Sequence, residues 1–154
     1  MKRIIIFVAI NFLFISHAFA KPRILDGDSF FLSKNEEIRL VGLDAPEYKQ
    51  ICYDTEGKEY DCGQKAKKAL IKIIGKKNLD CHKIKRDIYK RYLSECFVGD
   101  VNVNLEMLRQ GWAVLYRSKD KEYVAAQEYA KENKLGVWQG KFMKPELYRA
   151  LNRK

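Results

Sequence analysis

The chain has 154 residues, with 30 Lys and Arg against 20 Asp and Glu, a net charge of +10 and 47% hydrophobic residues. That length supports one domain with a core of its own, and the absence of repeats or a Pro/Gly/Ser-rich linker excludes a multidomain or repeat architecture. The positive excess favours a polyanionic partner: nucleic acid, anionic lipid or acidic polysaccharide.

Residues 1–20 read as a secretory signal peptide. Lys2 and Arg3 precede the apolar run "IIIFVAINFLFI", and "SHAFA" ends on the A-x-A pattern Ala18 to Ala20. Cleavage after Ala20 leaves residues 21–154 as one domain with a net charge of +8. The apolar run is short for a span, and no second one follows, so no stable membrane association is expected after cleavage. The expected location is exported, periplasmic or secreted.

Residues 23–32 and 36–47 predict two strands joined by the polar turn "SKNE", the second ending at Pro46. Residues 48–61 read as a polar loop. "GQKAKKALIKIIGKK" predicts a helix with Ala66, Ala69, Leu70, Ile73 and Ile74 on one face and Gly75 as its stop. "NLDCHKI" and "YKRYLSECFV" predict strands around the charged turn "KRDI". "VNLEMLRQG" is a short helix capped by Asn102 or Asn104, "WAVLYR" is extended, and "KEYVAAQEYAKENKLG" is an amphipathic helix. The remainder is a tail, with Trp138 and Phe142 packed back on the body. This order suits an α+β, mainly β fold: a five-stranded OB-fold barrel with about three flanking helices.

All four cysteines, Cys52, Cys62, Cys81 and Cys96, follow the leader, and an even count in an exported chain predicts disulfides. Three pairings are possible. Cys52–Cys62 and Cys81–Cys96 are favoured because each brackets one loop; zinc is the competing reading, with spacings that fit it poorly. The lone histidine after the leader, His82, sits in an alternating stretch and reads as a solvated strand residue, so hydrolysis here would rely on carboxylates, a hard metal ion and arginines.

The acids concentrate in two places. "ILDGDSFFL" carries Asp26 and Asp28; "RLVGLDAPE" carries Asp44 and Glu47. Alternation puts Asp26 and Asp28 on one side of a strand, where a divalent cation would relieve their repulsion. The competing reading makes Asp26-Gly27-Asp28 an ordinary turn. Arg39, flanked by Ile38, Leu40 and Val41, needs a partner for its guanidinium and matches a phosphate in shape.

Six blocks in this order resemble the thermonuclease family, the staphylococcal-nuclease-like proteins: "ILDGDSFFL", "IRLVGLDAPE", "CGQKAKKAL", "DIYKRYLSECF", "VNVNLEMLRQGWAVLY" and "EYAKENKLGVW". The likeness runs from about Arg23 to Trp138, and the cysteine placement resembles the exported bacterial branch. It implies an OB-fold barrel and Ca²⁺-dependent hydrolysis of DNA and RNA; the protein is expected to be a monomer with DNA and RNA as substrates. By motif, Asp28 and Asp44 match side-chain calcium ligands, and Ala45 stands where a backbone carbonyl is lent. Glu47 matches the acid that orients or deprotonates water, and Arg39 and Arg91 the two phosphate-gripping arginines. Asp26 matches a supporting acid; Tyr89 and Tyr116 match tyrosines near the substrate. Two departures stand out. Ser29 replaces a Thr and keeps the hydroxyl. Lys90 replaces a Gly before Arg91, at a turn where Gly allows positive φ more readily than Lys. The alternative reading is a non-catalytic OB-fold nucleic-acid-binding protein, which would not need the five acids and arginines together; a basic lipid- or glycan-binding protein would leave the acids unexplained.

Overall fold

The computed structural model describes residues 21–152, and the expected signal peptide lies outside the described residues. Among these, no helix is long and apolar enough to cross a membrane. In chain order the elements are β1 (Arg23–Ile24), β2 (Ser29–Ser33), β3 (Glu36–Leu40), β4 (Leu43–Asp44), β5 (Cys52–Tyr53), β6 (Glu59–Tyr60) and α1 (Cys62–Ile74). They continue with β7 (Asp80–Arg86), β8 (Tyr92–Val98), β9 (Val101–Asn102), α2 (Val103–Arg109), β10 (Val114–Leu115), α3 (Lys121–Glu132), a 3₁₀ turn (Gly136–Gln139) and α4 (Pro145–Leu151).

The main sheet runs β1-β2-β3-β8-β7 with β9 also on β8, while β4 pairs β10 and β5 pairs β6 separately. The β3–β8 pair is parallel, with Arg39 opposite Leu93. The fold is therefore mixed α+β and mainly sheet, with four α-helices among the described residues. The strand ladders do not close on themselves.

Alternation along β3 sends Ile38 and Leu40 into the core with Phe30 and Leu43, leaving Arg39 on the other side. Helix α1 buries Ala66, Ala69, Leu70 and Ile74 against them and ends at Gly75, as its period predicts. Asn102 caps α2 by accepting from Leu105 N–H. Asn104 is a fully buried tie instead: it accepts from Cys96 N–H and donates to the carbonyls of Val41 and Ser94. The disulfides are Cys52–Cys62 and Cys81–Cys96. Trp138 and Phe142 meet edge-on with centroids 5.0 Å apart, packed against the first of these bridges. His82 is exposed, next to Asp80.

Four expectations give way. The strand over 23–32 is broken at Leu25–Asp28, so Asp26-Gly27-Asp28 is a turn between β1 and β2, and alternation along one strand does not relate its two acids. The loop 48–61 contains the hairpin β5–β6. The later strand starts at Tyr92, because the turn before it spans Asp87 to Lys90. The tail forms α4, started by Pro145 at a first-turn position where a missing N–H costs nothing.

Candidate active site

The turn between β1 and β2 is built by Asp26. Its Oδ1 accepts from the N–H groups of Asp28 (3.0 Å) and Ser29 (2.7 Å), and its Oδ2 accepts from Ser29 Oγ (2.7 Å). Both Asp26 oxygens are thereby spent on the backbone and hydroxyl of their own turn. That geometry drives Asp28 inward, to 2% exposure, beside Asp44 at 1%. Gly27 permits it: a Cβ there would lie 2.7 Å from Ala45 Cβ and 2.8 Å from Ala66 Cβ.

Arg39 joins the two buried acids. Its Nη1 donates to Asp28 Oδ1 (3.0 Å) and its Nη2 to Asp44 Oδ1 (2.6 Å), so these carboxylates lie within the span of one guanidinium. Asp28 Oδ2 accepts from Ala45 N–H at 3.0 Å. Burial pushes the Asp28 carboxyl well above the ordinary carboxylate range; Arg39 opposes this, while Asp26 and Asp44 add to it. Burial also works against the Arg39 charge, but Asp28 and Asp44 outweigh it and raise its pKa.

Glu47 follows Pro46 in a segment held by Gln50, which is fully buried. Gln50 Oε1 accepts from Glu47 N–H (3.2 Å), Gln50 N–H donates to Glu47 O (2.8 Å), and Gln50 Nε2 donates to Met143 O (2.7 Å). Helix α1 presses on this segment through Gly63, where a Cβ would fall 1.8 Å from Glu47 O. No side chain fits there.

A residue absent from the sequence reading completes the cluster. Arg149, on α4, donates Nη1 to Asp44 Oδ1 and Glu47 Oε1, both at 2.8 Å, and Nη2 to Asp44 Oδ2 at 2.9 Å. Burial opposes its charge, but the bonds to Asp44 and Glu47 raise its pKa above the ordinary arginine value. The structure thus unites Asp28, Arg39, Asp44, Ala45 and Glu47, and adds Arg149.

Arg91 and Tyr89 are not in that network. Asp87 organises their turn: Oδ1 accepts from the N–H groups of Tyr89 (2.9 Å) and Arg91 (3.0 Å), and Oδ2 from Arg91 Nε (2.8 Å) and Nη2 (2.7 Å). Lys90 takes φ +68°, the left-handed conformation a glycine would adopt more easily. Alternation carried one residue back from β8 gives Arg91 the parity of Leu93, the partner of Arg39, and so the same side of the sheet. Tyr89 is exposed under the Arg91 guanidinium, 5.2 Å from its ring centre. Tyr116 lies two residues beyond Val114, the partner of Asp44, and its hydroxyl meets Glu146 at 3.3 Å.

The comparisons with known proteins establish the family. The family model described as "Staphylococcal nuclease homologue" matches residues 37–140, more than half of the chain. This chain belongs to the staphylococcal nuclease family. It is 34% identical over 122 residues to an "Uncharacterized endonuclease" of Haemophilus influenzae, a match covering 75% of this chain and 63% of that protein. It is 34% identical over 118 residues to "Succinoglycan biosynthesis protein ExoI" of Rhizobium meliloti, covering 75% and 61%. An "Uncharacterized endonuclease" of Escherichia coli O157:H7 is 31% identical over 122 residues, covering 75% and 73%. The chain spans somewhat under two thirds of the length of the first two.

As a donor set, the cluster offers hard oxygen atoms alone: the carboxylates of Asp28, Asp44 and Glu47, and main-chain carbonyls. Such donors fit calcium or magnesium and not soft metals. Among the described residues no group of three or more His, Cys, Asp or Glu forms a ready metal cage. Two carboxylates within one guanidinium's span suit a hard ion that completes its shell with water and substrate oxygens.

Proposed function

We propose that this protein is an exported, calcium-dependent nuclease that hydrolyses phosphodiester bonds of DNA and RNA. The observation that carries the reading is the network in which Arg39 ties Asp28 to Asp44 beside Glu47. Family membership and the names of the endonuclease relatives support the reaction class. The two disulfides support an oxidising compartment. We read the main sheet, together with the separate β4–β10 pair, as a barrel of the OB type, and residues 21–154 as one monomeric domain.

Asp28 and Asp44, with the Ala45 carbonyl, would hold the cation. When bound, it polarises phosphoryl oxygens and neutralises charge near the attacking water. Glu47, at the more open edge of the cluster, acts as the base or orienter of that water, within hydrogen-bond reach. Arg39 and Arg91 grip the phosphate and stabilise the more negative five-coordinate state more strongly than the ground state, which lowers the barrier. Tyr89 and Tyr116 flank the substrate, and Asp26 supports the site by fixing the turn that buries Asp28. The positive surface draws in the polymer and makes binding salt-sensitive.

The test is a cleavage assay on DNA and RNA. We expect degradation with Ca²⁺, none with EDTA, and a loss of ~10²–10⁴ in rate for Glu47→Gln. Binding of both polymers without cleavage under any divalent ion would favour the non-catalytic alternative.

A further inference from the structure

The chain is tied down as far as Met143, whose carbonyl accepts from Gln50 Nε2 at 2.7 Å; beyond that point Arg149 is held in place by the acids and by little else. Helix α4 has seven residues, of which only Pro145 is buried, while Leu147 and Leu151 stay exposed at 51% and 66%. Its other polar ties are long: Tyr148 Oη to Lys49 O at 3.4 Å and Tyr116 Oη to Glu146 Oε1 at 3.3 Å. The three bonds from Arg149, at 2.8–2.9 Å, are the shortest anchors of this helix.

Those bonds fall on the oxygens a cation would use. Asp44 Oδ1 accepts from both Arg39 and Arg149, and Oδ2 accepts from Arg149. Neither oxygen of Asp44 is free of a guanidinium. A dication at Asp44 would meet the positive Arg149 head at contact distance, and the two repel. Arg39 is the more confined of the two: its strand lies inside the main sheet, and its side chain is 13% exposed against 29% for Arg149. Arg149 can move aside, since its helix buries so little. The cluster is plugged rather than open to solvent: Asp28 and Asp44 are 2% and 1% exposed beneath the two guanidiniums.

Resting on the calcium site of the nuclease reading, we propose that Arg149 is an internal competitor for the divalent cation. It neutralises Asp44 and Glu47 in the metal-free protein, and cation binding expels it and frees α4. The C-terminal helix is thus a latch that sets the cation concentration at which the site assembles.

The test is calorimetric titration of Ca²⁺ into the mature protein and into Arg149→Gln, with exchange of the helix-bonded amides of residues 148–152 followed in the wild type. The latch predicts Ca²⁺ binding about tenfold tighter in the variant, the equivalent of one charge-assisted contact, and loss of α4 protection in the wild type on adding Ca²⁺. Equal or weaker affinity in the variant overturns the latch, as does α4 protection unchanged by saturating Ca²⁺. In those cases Ca²⁺ binding and cleavage by the wild type would leave the nuclease reading standing. Absence of Ca²⁺ binding in both proteins overturns the latch and the calcium site together.

Discussion

Arg39 and Arg149 bond the same carboxylate and are held there by opposite means. Arg39 rises from β3, between Ile38 and Leu40 at 0% and 1% exposure, in the interior of a six-stranded sheet. Arg149 comes from a terminal helix that buries only Pro145. Both guanidiniums make bonds of similar length, so bond geometry does not separate their roles; the scaffold behind them does. A charge mounted on the core is part of the site's architecture, whereas one mounted on a thin surface helix can be exchanged.

The sharpest way to break this contrast is to remove each arginine. Arg39→Gln leaves Asp28 buried without its charged partner and should cost about 3–5 kcal/mol by urea denaturation, with cleavage lost. A loss below about 1 kcal/mol would mean that Arg39 is not the architectural member. Gly63→Ala comes next. Its Cβ cannot fit against Glu47 O, so the 47–50 segment must shift, for a loss of about 1–3 kcal/mol and a fall in cleavage rate. Unchanged activity would show that Glu47 tolerates displacement. Arg149→Gln should change stability by less than about 1 kcal/mol, since its side chain is 29% exposed and Asp44 keeps Arg39.

The smallest effect concerns the second turn. Burial pushes the Asp87 pKa up, but the bonds from Arg91 and from Tyr89 N–H outweigh it and leave the carboxyl below its ordinary value. A depressed carboxylate stabilises the fold above its unfolded-state pKa and loses that contribution as pH falls through the folded value. Asp87→Asn keeps an acceptor for the turn and removes the charge. Its deficit against the wild type should hold from about pH 7 to pH 5 and close toward pH 2. A deficit independent of pH would assign the effect to packing.

Local pattern carried much of this to the reader of the sequence. Arg39 was legible because a guanidinium inside "IRLV" demands a partner, and the α1 face and Gly75 stop followed from period and punctuation. Asp26 was harder, since both strand alternation and the Asp-Gly turn chemistry apply to it; the Asx bonds to Ser29 decided for the turn. Strands β5 and β6, two residues each, are too short to leave a periodic signal. Arg149 left none. Its partners lie 102 and 105 residues away, and an arginine in a basic tail reads as solvated. Pro145 at the start of "PELYRAL" is the one local sign that its helix exists. Asp87, four residues before Arg91, had the spacing of an ion pair but lay in a turn, where that spacing predicts no contact.

The most direct test is a crystal structure of the mature protein in saturating Ca²⁺. We expect one ion bound by the Asp28 and Asp44 carboxylates, with Arg39 retained and Arg149 withdrawn from Asp44. An ion bound elsewhere, or none with Arg149 still clamped on Asp44, would contradict that expectation.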